Sequence, residues 1–166
     1  MADSQQHPPI ARLVEALRAE KIRFVIVGMM SAVIQGAPVV TFDTDIWIDV
    51  PARQYMRLSN LCLKLGAIMR ANTVFVFPDD TMINFIYAVT GLRDFATEYR
   101  GVRRVRWLGL RDVPVLPLER IYKSKSVIRR PKDLVHMQVL KQLMANNKAA
   151  ARSRRANPKP RSKSRL

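Results

Sequence analysis

Apolar residues recur at three- and four-residue spacing over Ile10, Leu13, Val14 and Leu17, directly after Pro8 and Pro9. That period predicts a helix with one buried face. Phe24-Val25-Ile26-Val27 is continuously apolar and stops at Gly28, which predicts a short buried strand. A brief helical stretch from Met29 to Gln35 is expected to end at Gly36. From Phe42 to Val50 the period changes to two. Phe42, Thr44, Ile46 and Ile48 fall on one face of a strand, and Asp43, Asp45, Trp47 and Asp49 on the other.

Pro51 suits the first turn of a helix carried by Met56, Leu58, Leu61, Cys62 and Leu65 to a stop at Gly66. Thr73 to Phe77 and Met82 to Val89 read as the arms of a hairpin turning at Pro78-Asp79-Asp80. A short helix is expected over Leu92 to Tyr99 and a strand over Val102 to Trp107. Helices are expected over Pro117 to Ile128 and Pro131 to Ala145. Strands mixed with helices, one hairpin among them, imply an α/β (α+β) domain: a mixed β-sheet flanked by helices, with C-terminal helices. The domain is expected to occupy residues 1–145. From Asn146 the chain turns to Ala, Arg, Lys, Ser and Pro without apolar period, so residues 146–166 are expected to form a disordered basic tail.

The 166 residues suffice for one core. Their net charge of +16 is unevenly spread. From Lys141 onward there are nine cations and no acid, which leaves the preceding body at about +7. Such a chain favours anionic partners: a nucleotide, a nucleic acid or an acidic protein. The single Cys62 excludes an internal disulfide and a cysteine zinc cluster, and His7 and His136 have no metal-binding spacing. The N-terminal segment lacks the pattern of a secretory signal, and no apolar run approaches the roughly 20 residues of a membrane span. A cytoplasmic location and no membrane partner are the expectation.

The chemistry concentrates at Thr41-Phe42-Asp43-Thr44-Asp45. Carboxylates at i and i+2 of a strand point to one side and repel each other, so a packed site needs a cation between them. Mg²⁺ or Mn²⁺ suits such oxygen donors. The plainer alternative for an isolated Asp-x-Asp is a solvated strand end. Trp47, on the same face, is suited either to core packing or to stacking on a base, with packing the default.

Two stretches of sequence narrow the choice. A strand, Gly28, a short helix, Gly36-Ala37-Pro38 and then Asp43-Thr44-Asp45 form the first. Leu116-Pro117-Leu118-Glu119-Arg120-Ile121, Ser124-Lys125 and Arg130-Pro131-Lys132-Asp133-Leu134 form the second. Together, over Phe24 to Leu143, they resemble the nucleotidyltransferase superfamily of the DNA polymerase beta type, in its small bacterial toxin-type or minimal branch. The resemblance implies Mg-dependent transfer of a nucleoside monophosphate from an NTP to an RNA or protein hydroxyl. It implies that Asp43 and Asp45 hold metal, that the backbone at Gly28 approaches phosphate, and that Ser31 adds a hydroxyl there. Lys125, Arg130 and Lys132 would neutralise phosphate charge, and Asp133 would orient Arg130 or cap the last helix. A cognate antitoxin-like protein is an implied partner.

Three positions depart from that pattern. Met29 stands where the family has a second Gly or Ser, and Val39 where the toxin-like branch has Arg. Asn84 stands in the place of the third catalytic carboxylate. Its carbonyl oxygen can face a cation, but it carries no charge and cannot act as a base. At most a weakened second metal site is therefore expected. An alternative follows: a catalytically weakened module that binds nucleic acid through its basic tail.

Overall fold

A computed structural model describes residues 7–156. Among these, seven strands form one mixed sheet: β1 (Phe24–Val27), β2 (Asp43–Ile48), β3 (Ile68–Ala71), β4 (Val74–Val76), β5 (Met82–Ile86), β6 (Arg103–Trp107) and β7 (Leu110–Val115). Their order across the sheet is β3-β4-β5-β2-β1-β7-β6. β2 runs antiparallel to β1 and parallel to β5, while β1 runs parallel to β7. β3, β4 and β5 form an antiparallel meander on one side, and β6 pairs antiparallel with β7 on the other. The helices are α1 (Pro9–Ala19), α2 (Gly28–Ile34), α3 (Tyr55–Lys64), α4 (Phe95–Tyr99), α5 (Leu118–Ile128) and α6 (Pro131–Ala156).

The period of two along the central strands sorts their side chains into two cores. Phe24, Ile26, Ile46, Ile48, Ile83 and Phe85 pack with Ile10, Leu13, Val14 and Leu17 of α1 and with Leu58 and Cys62 of α3. Val25, Val27 and Trp47 point the other way, toward Met29 and Ala32 of α2, Leu118 and Ile121 of α5, and Leu140 of α6. The sheet is thus covered on both faces, as the mixed-sheet expectation required. Each fully buried large side chain in these cores contributes about 1.5–3 kcal/mol by leaving water.

Two strands escaped the sequence pattern. All four β3 residues are exposed, so the strand has no apolar alternation to read. β7 holds Pro114, and Asp112 takes a positive φ of 55°. Proline normally argues against an interior strand because it cannot donate to the ladder. It is tolerated here because the register of β7 with β1 is a single pair, Ile26 with Val115.

The expected break at Asn146 is also corrected. α6 continues to Ala156, so the first eleven residues assigned to a disordered tail are helical. Ala, Arg and Lys are strong helix formers, and propensity carries these turns although they bury no apolar face. The remainder of that expected tail, 157–166, lies outside the described residues.

Candidate active site

β1 ends and β2 and β5 begin at the same edge of the sheet, and the two aspartates lie there. Asp45 is flanked in register by Val27 of β1 and Asn84 of β5. One carboxylate oxygen, Oδ1, accepts a hydrogen bond from Asn84 Nδ2 at 3.0 Å. The other faces Gly28. A Cβ built on Gly28 would lie 3.0 Å from Asp45 Oδ2, and the residue has φ +63°, so glycine is required both by conformation and by space. Asp43 is exposed at the start of β2, where Thr41 Oγ1 donates to its Oδ1 at 3.2 Å.

Burial raises the pKa of the Asp45 carboxyl, and the neighbouring Asp43 charge adds to that rise. The Asn84 hydrogen bond and the charges of Lys125 and Lys132 oppose it. An ionised carboxylate can only accept, so it selects the amide end of Asn84. The carbonyl end is then left for Thr73, whose hydroxyl donates to Asn84 Oδ1 at 2.9 Å. Thr73 was not foreseen. Nothing in the sequence marks it, because its place opposite Asn84 depends on the register of the β4–β5 hairpin.

The cations come from the opposite end of the chain. Lys125 on α5 is buried, and its Nζ donates to Asp133 Oδ1 at 3.0 Å. Arg130, in the link between α5 and α6, donates from Nε to Asp133 Oδ2 at 2.7 Å and from Nη2 to Oδ1 at 3.3 Å. The backbone N–H of Arg130 donates to Asp133 Oδ2 as well, at 3.1 Å. Asp133 itself is fully buried. Bonding to Arg130, then to Lys125, holds its carboxyl far below the ordinary carboxylate range. Asp133 therefore orients Arg130 and, through the Arg130 backbone N–H, caps the start of α6, the two roles expected of it, and it holds Lys125 as well.

Asp45, Gly28, Lys125 and Arg130 line one pocket of about 190 Å³. Its remaining wall is largely apolar, with Ile86, Val89 and Ile128, and Thr90 adds a hydroxyl. These wall residues were not foreseen. Lys132 is exposed and does not line the pocket, although its charge is felt at Asp45. Ser31 is a correction. It is fully buried, and its hydroxyl donates to the Leu116 carbonyl at 2.8 Å, tying α2 to the chain leaving β7. It does not line the pocket. Met29 does not crowd the pocket, because its side chain packs into the core beneath. Val39 packs against the same core. Trp47 is buried edge-on to Phe95, with ring centroids 5.4 Å apart, and its indole N–H donates to the Tyr87 carbonyl at 3.0 Å. It packs and does not stack on a ligand.

The donors test which metal arrangement fits. Asp43 and Asp45 supply hard oxygens, and Mg²⁺ is commonly held by one or two carboxylates with water completing its shell. Among the described residues there is no cluster of three His, Cys, Asp or Glu side chains. The third position presents amide hydrogens toward Asp45. The residues thus suit one divalent ion better than two.

No protein-family model matches the chain, and no curated protein matches it in sequence. Solved structures do. The chain is similar to the solution structure of the antibiotic-resistance factor ANT(2'')-Ia, with TM-score 0.57 and 16% identity over 93% of this chain and 95% of that one. It is similar to the lincomycin-bound lincosamide antibiotic adenylyltransferase LnuA, with TM-score 0.56 and 10% identity over 81% of this chain and 96% of that one. The crystal structure of ANT(2'')-Ia with adenylyl-2''-tobramycin gives TM-score 0.54 over 87% of this chain and 95% of that one. At these identities the likeness establishes the fold: this chain has the nucleotidyltransferase fold.

Proposed function

We propose that this protein moves a nucleoside monophosphate from an NTP to a hydroxyl group and releases pyrophosphate. The observation that supports it is convergence: paired aspartates on β2, a side-chain-free approach at Gly28, and two cations locked by Asp133, drawn from segments some 80 residues apart. In this reading the hydroxyl oxygen forms a bond to the α-phosphorus and its proton passes to solvent water, while the bond to the pyrophosphate oxygen breaks and pyrophosphate leaves with the electron pair. A divalent ion, Mg²⁺ or Mn²⁺, supplies charge neutralisation and polarises the phosphates when bound. Asp43 and Asp45 hold it. Gly28 lets the phosphates approach the backbone, and Lys125 and Arg130 neutralise the leaving group. Asn84 orients Asp45 and takes no proton.

The net charge of +16 favours an anionic acceptor over a cationic one, so an RNA hydroxyl suits this chain better than an aminoglycoside. A protein hydroxyl and a toxin-type role, with an antitoxin-like partner over the pocket, belong to the same reading. A second reading rests on Asn84 alone. Without a third carboxylate the fold would hold the nucleotide and turn it over slowly or not at all. Release of pyrophosphate from each of the four NTPs, with Mg²⁺ or Mn²⁺ and total RNA, separates the two. Release above that of the Asp43→Asn/Asp45→Asn variant supports transfer. Tight NTP binding without release supports the second reading.

A further inference from the structure

α6 leaves the pocket at Pro131 and runs for 26 residues, and its second half lies along the basic edge of the sheet. β6 is that edge strand, and its Arg103, Arg104 and Arg106 are exposed. Two cavities of about 590 Å³ each lie between these elements, and both are lined by Arg103 and Asn147. The two adjoin at these shared residues and together are called the trough. Its cations are Arg103, Lys141, Lys148 and Arg154, opposed by the single acid Glu119. Among the described residues none of these four cations forms an ion pair. Gly36, Ala150 and Ala151 offer small side chains or none along the wall. A backbone of phosphate and sugar can therefore come close, with charge at the sides and no bulk beneath.

Arginine on an edge strand also discourages strand pairing between molecules. That role needs nothing from α6. Here two elements about 40 residues apart in sequence turn cations toward the same channel. From Lys141 to Arg154 the helix rises about 20 Å, the length of about six phosphates of a stacked single strand. An acidic protein would want a matching pattern of hydrogen-bond partners and apolar anchors. The trough offers mainly charge and small residues, which suits a repeating phosphate backbone.

We propose that the trough between β6 and the second half of α6 binds the phosphate backbone of single-stranded nucleic acid. The site shares no lining residue with the pocket around Asp45, so it stands whether or not that pocket catalyses transfer.

The test compares two variants of the full chain with equal charge. One replaces Arg103, Lys141, Lys148 and Arg154 by Gln, and the other replaces Lys159, Arg161, Lys163 and Arg165 by Gln. Binding of a fluorescein-labelled oligo(U) and its DNA counterpart is followed by anisotropy from low to high salt. Arg103, Lys141, Lys148 and Arg154 belong to neither core, and matching melting temperatures verify folding of both variants. Four lost phosphate contacts should make the slope of log K against log salt shallower by about 2.8 in the trough variant, and its low-salt affinity should fall by about tenfold or more. The other variant should change much less. Equal binding of RNA and DNA would assign the contact to phosphate, and tighter RNA would add the 2′-hydroxyl; either supports the site. Equal losses in the two variants would reduce the effect to net charge and overturn it. So would displacement of the oligonucleotide by poly-glutamate at matched charge, which would point to an acidic protein.

Discussion

Asn84→Asp places a carboxylate where the amide now donates to Asp45. The substitution is nearly isosteric, so the main change is electrostatic. A hydrogen bond of 3.0 Å becomes an oxygen–oxygen contact between like charges. At that separation two unit charges repel by about 5 kcal/mol at an effective dielectric of about 20. Uptake of one proton limits the cost to about 4 kcal/mol at pH 7, the free energy of raising one carboxyl by about three pKa units. Loss of the bond itself adds about 1 kcal/mol. In EDTA the variant should therefore unfold at clearly lower urea than the parent, by about 4–5 kcal/mol. Mn²⁺ should restore the variant and stabilise it more than the parent, because three carboxylates now face one ion. The assay is equilibrium urea unfolding with EDTA or Mn²⁺. A variant as stable as the parent in EDTA and indifferent to Mn²⁺ would refute this geometry of Asp45 and Asn84.

Further consequences follow from the same contacts. Gly28→Ala forces a left-handed alanine and a 3.0 Å contact with Asp45, so stability should drop by about 1–2 kcal/mol and the Mn²⁺ response should disappear; an unaltered Mn²⁺ titration would count against the contact. Asp133→Asn leaves the buried Lys125 without its anion and should cost about 3 kcal/mol in urea unfolding, whereas a loss below about 1 kcal/mol would mean that Lys125 finds water instead. Asp133 and Glu98 both have folded pKa values below their ordinary ones, held down first by Arg130 and Arg120 respectively. Their stabilisation is present above the unfolded values and is lost as pH falls through the folded ones, so stability should decline below about pH 5. Urea midpoints that stay flat into acid would contradict those pairs. Ser31→Ala removes a buried bond to the Leu116 carbonyl, which Gln35 Nε2 still donates to at 2.8 Å; it should cost about 1 kcal/mol and leave NTP affinity unchanged.

What the sequence reveals of this site follows from the range of the contacts involved. The Asp43–Asp45 pair is readable because side chains on a strand alternate, so residues two apart share a face whatever the tertiary structure. Gly28 is readable because a glycine ending a buried strand marks a tight turn. Lys125 and Arg130 meet Asp45 across some 80 residues, and only the family resemblance brought them to it. No local pattern encodes that distance. Ser31 was misplaced because its position on α2 is legible but its side-chain torsion is not, and the Leu116 carbonyl captured the hydroxyl. Thr73 was missed because hairpin register sets its partner. The fold was legible where burial alternates and hidden where it does not, as in the exposed β3 and the proline-bearing β7. The turns after Ala145 were hidden for a different reason. They are helical by propensity and bury nothing, so they leave no apolar period to detect.

The most direct test is transfer of label from α-labelled ATP, CTP, GTP and UTP to total RNA and to the protein itself, with Mg²⁺ or Mn²⁺. The parent runs beside the Asp43→Asn/Asp45→Asn variant. Metal-dependent incorporation by the parent, lost in the variant, is the expected result and identifies the nucleotide. Incorporation that persists in the variant would contradict the assignment of the chemistry to β2, and no incorporation from any nucleotide would contradict transfer itself.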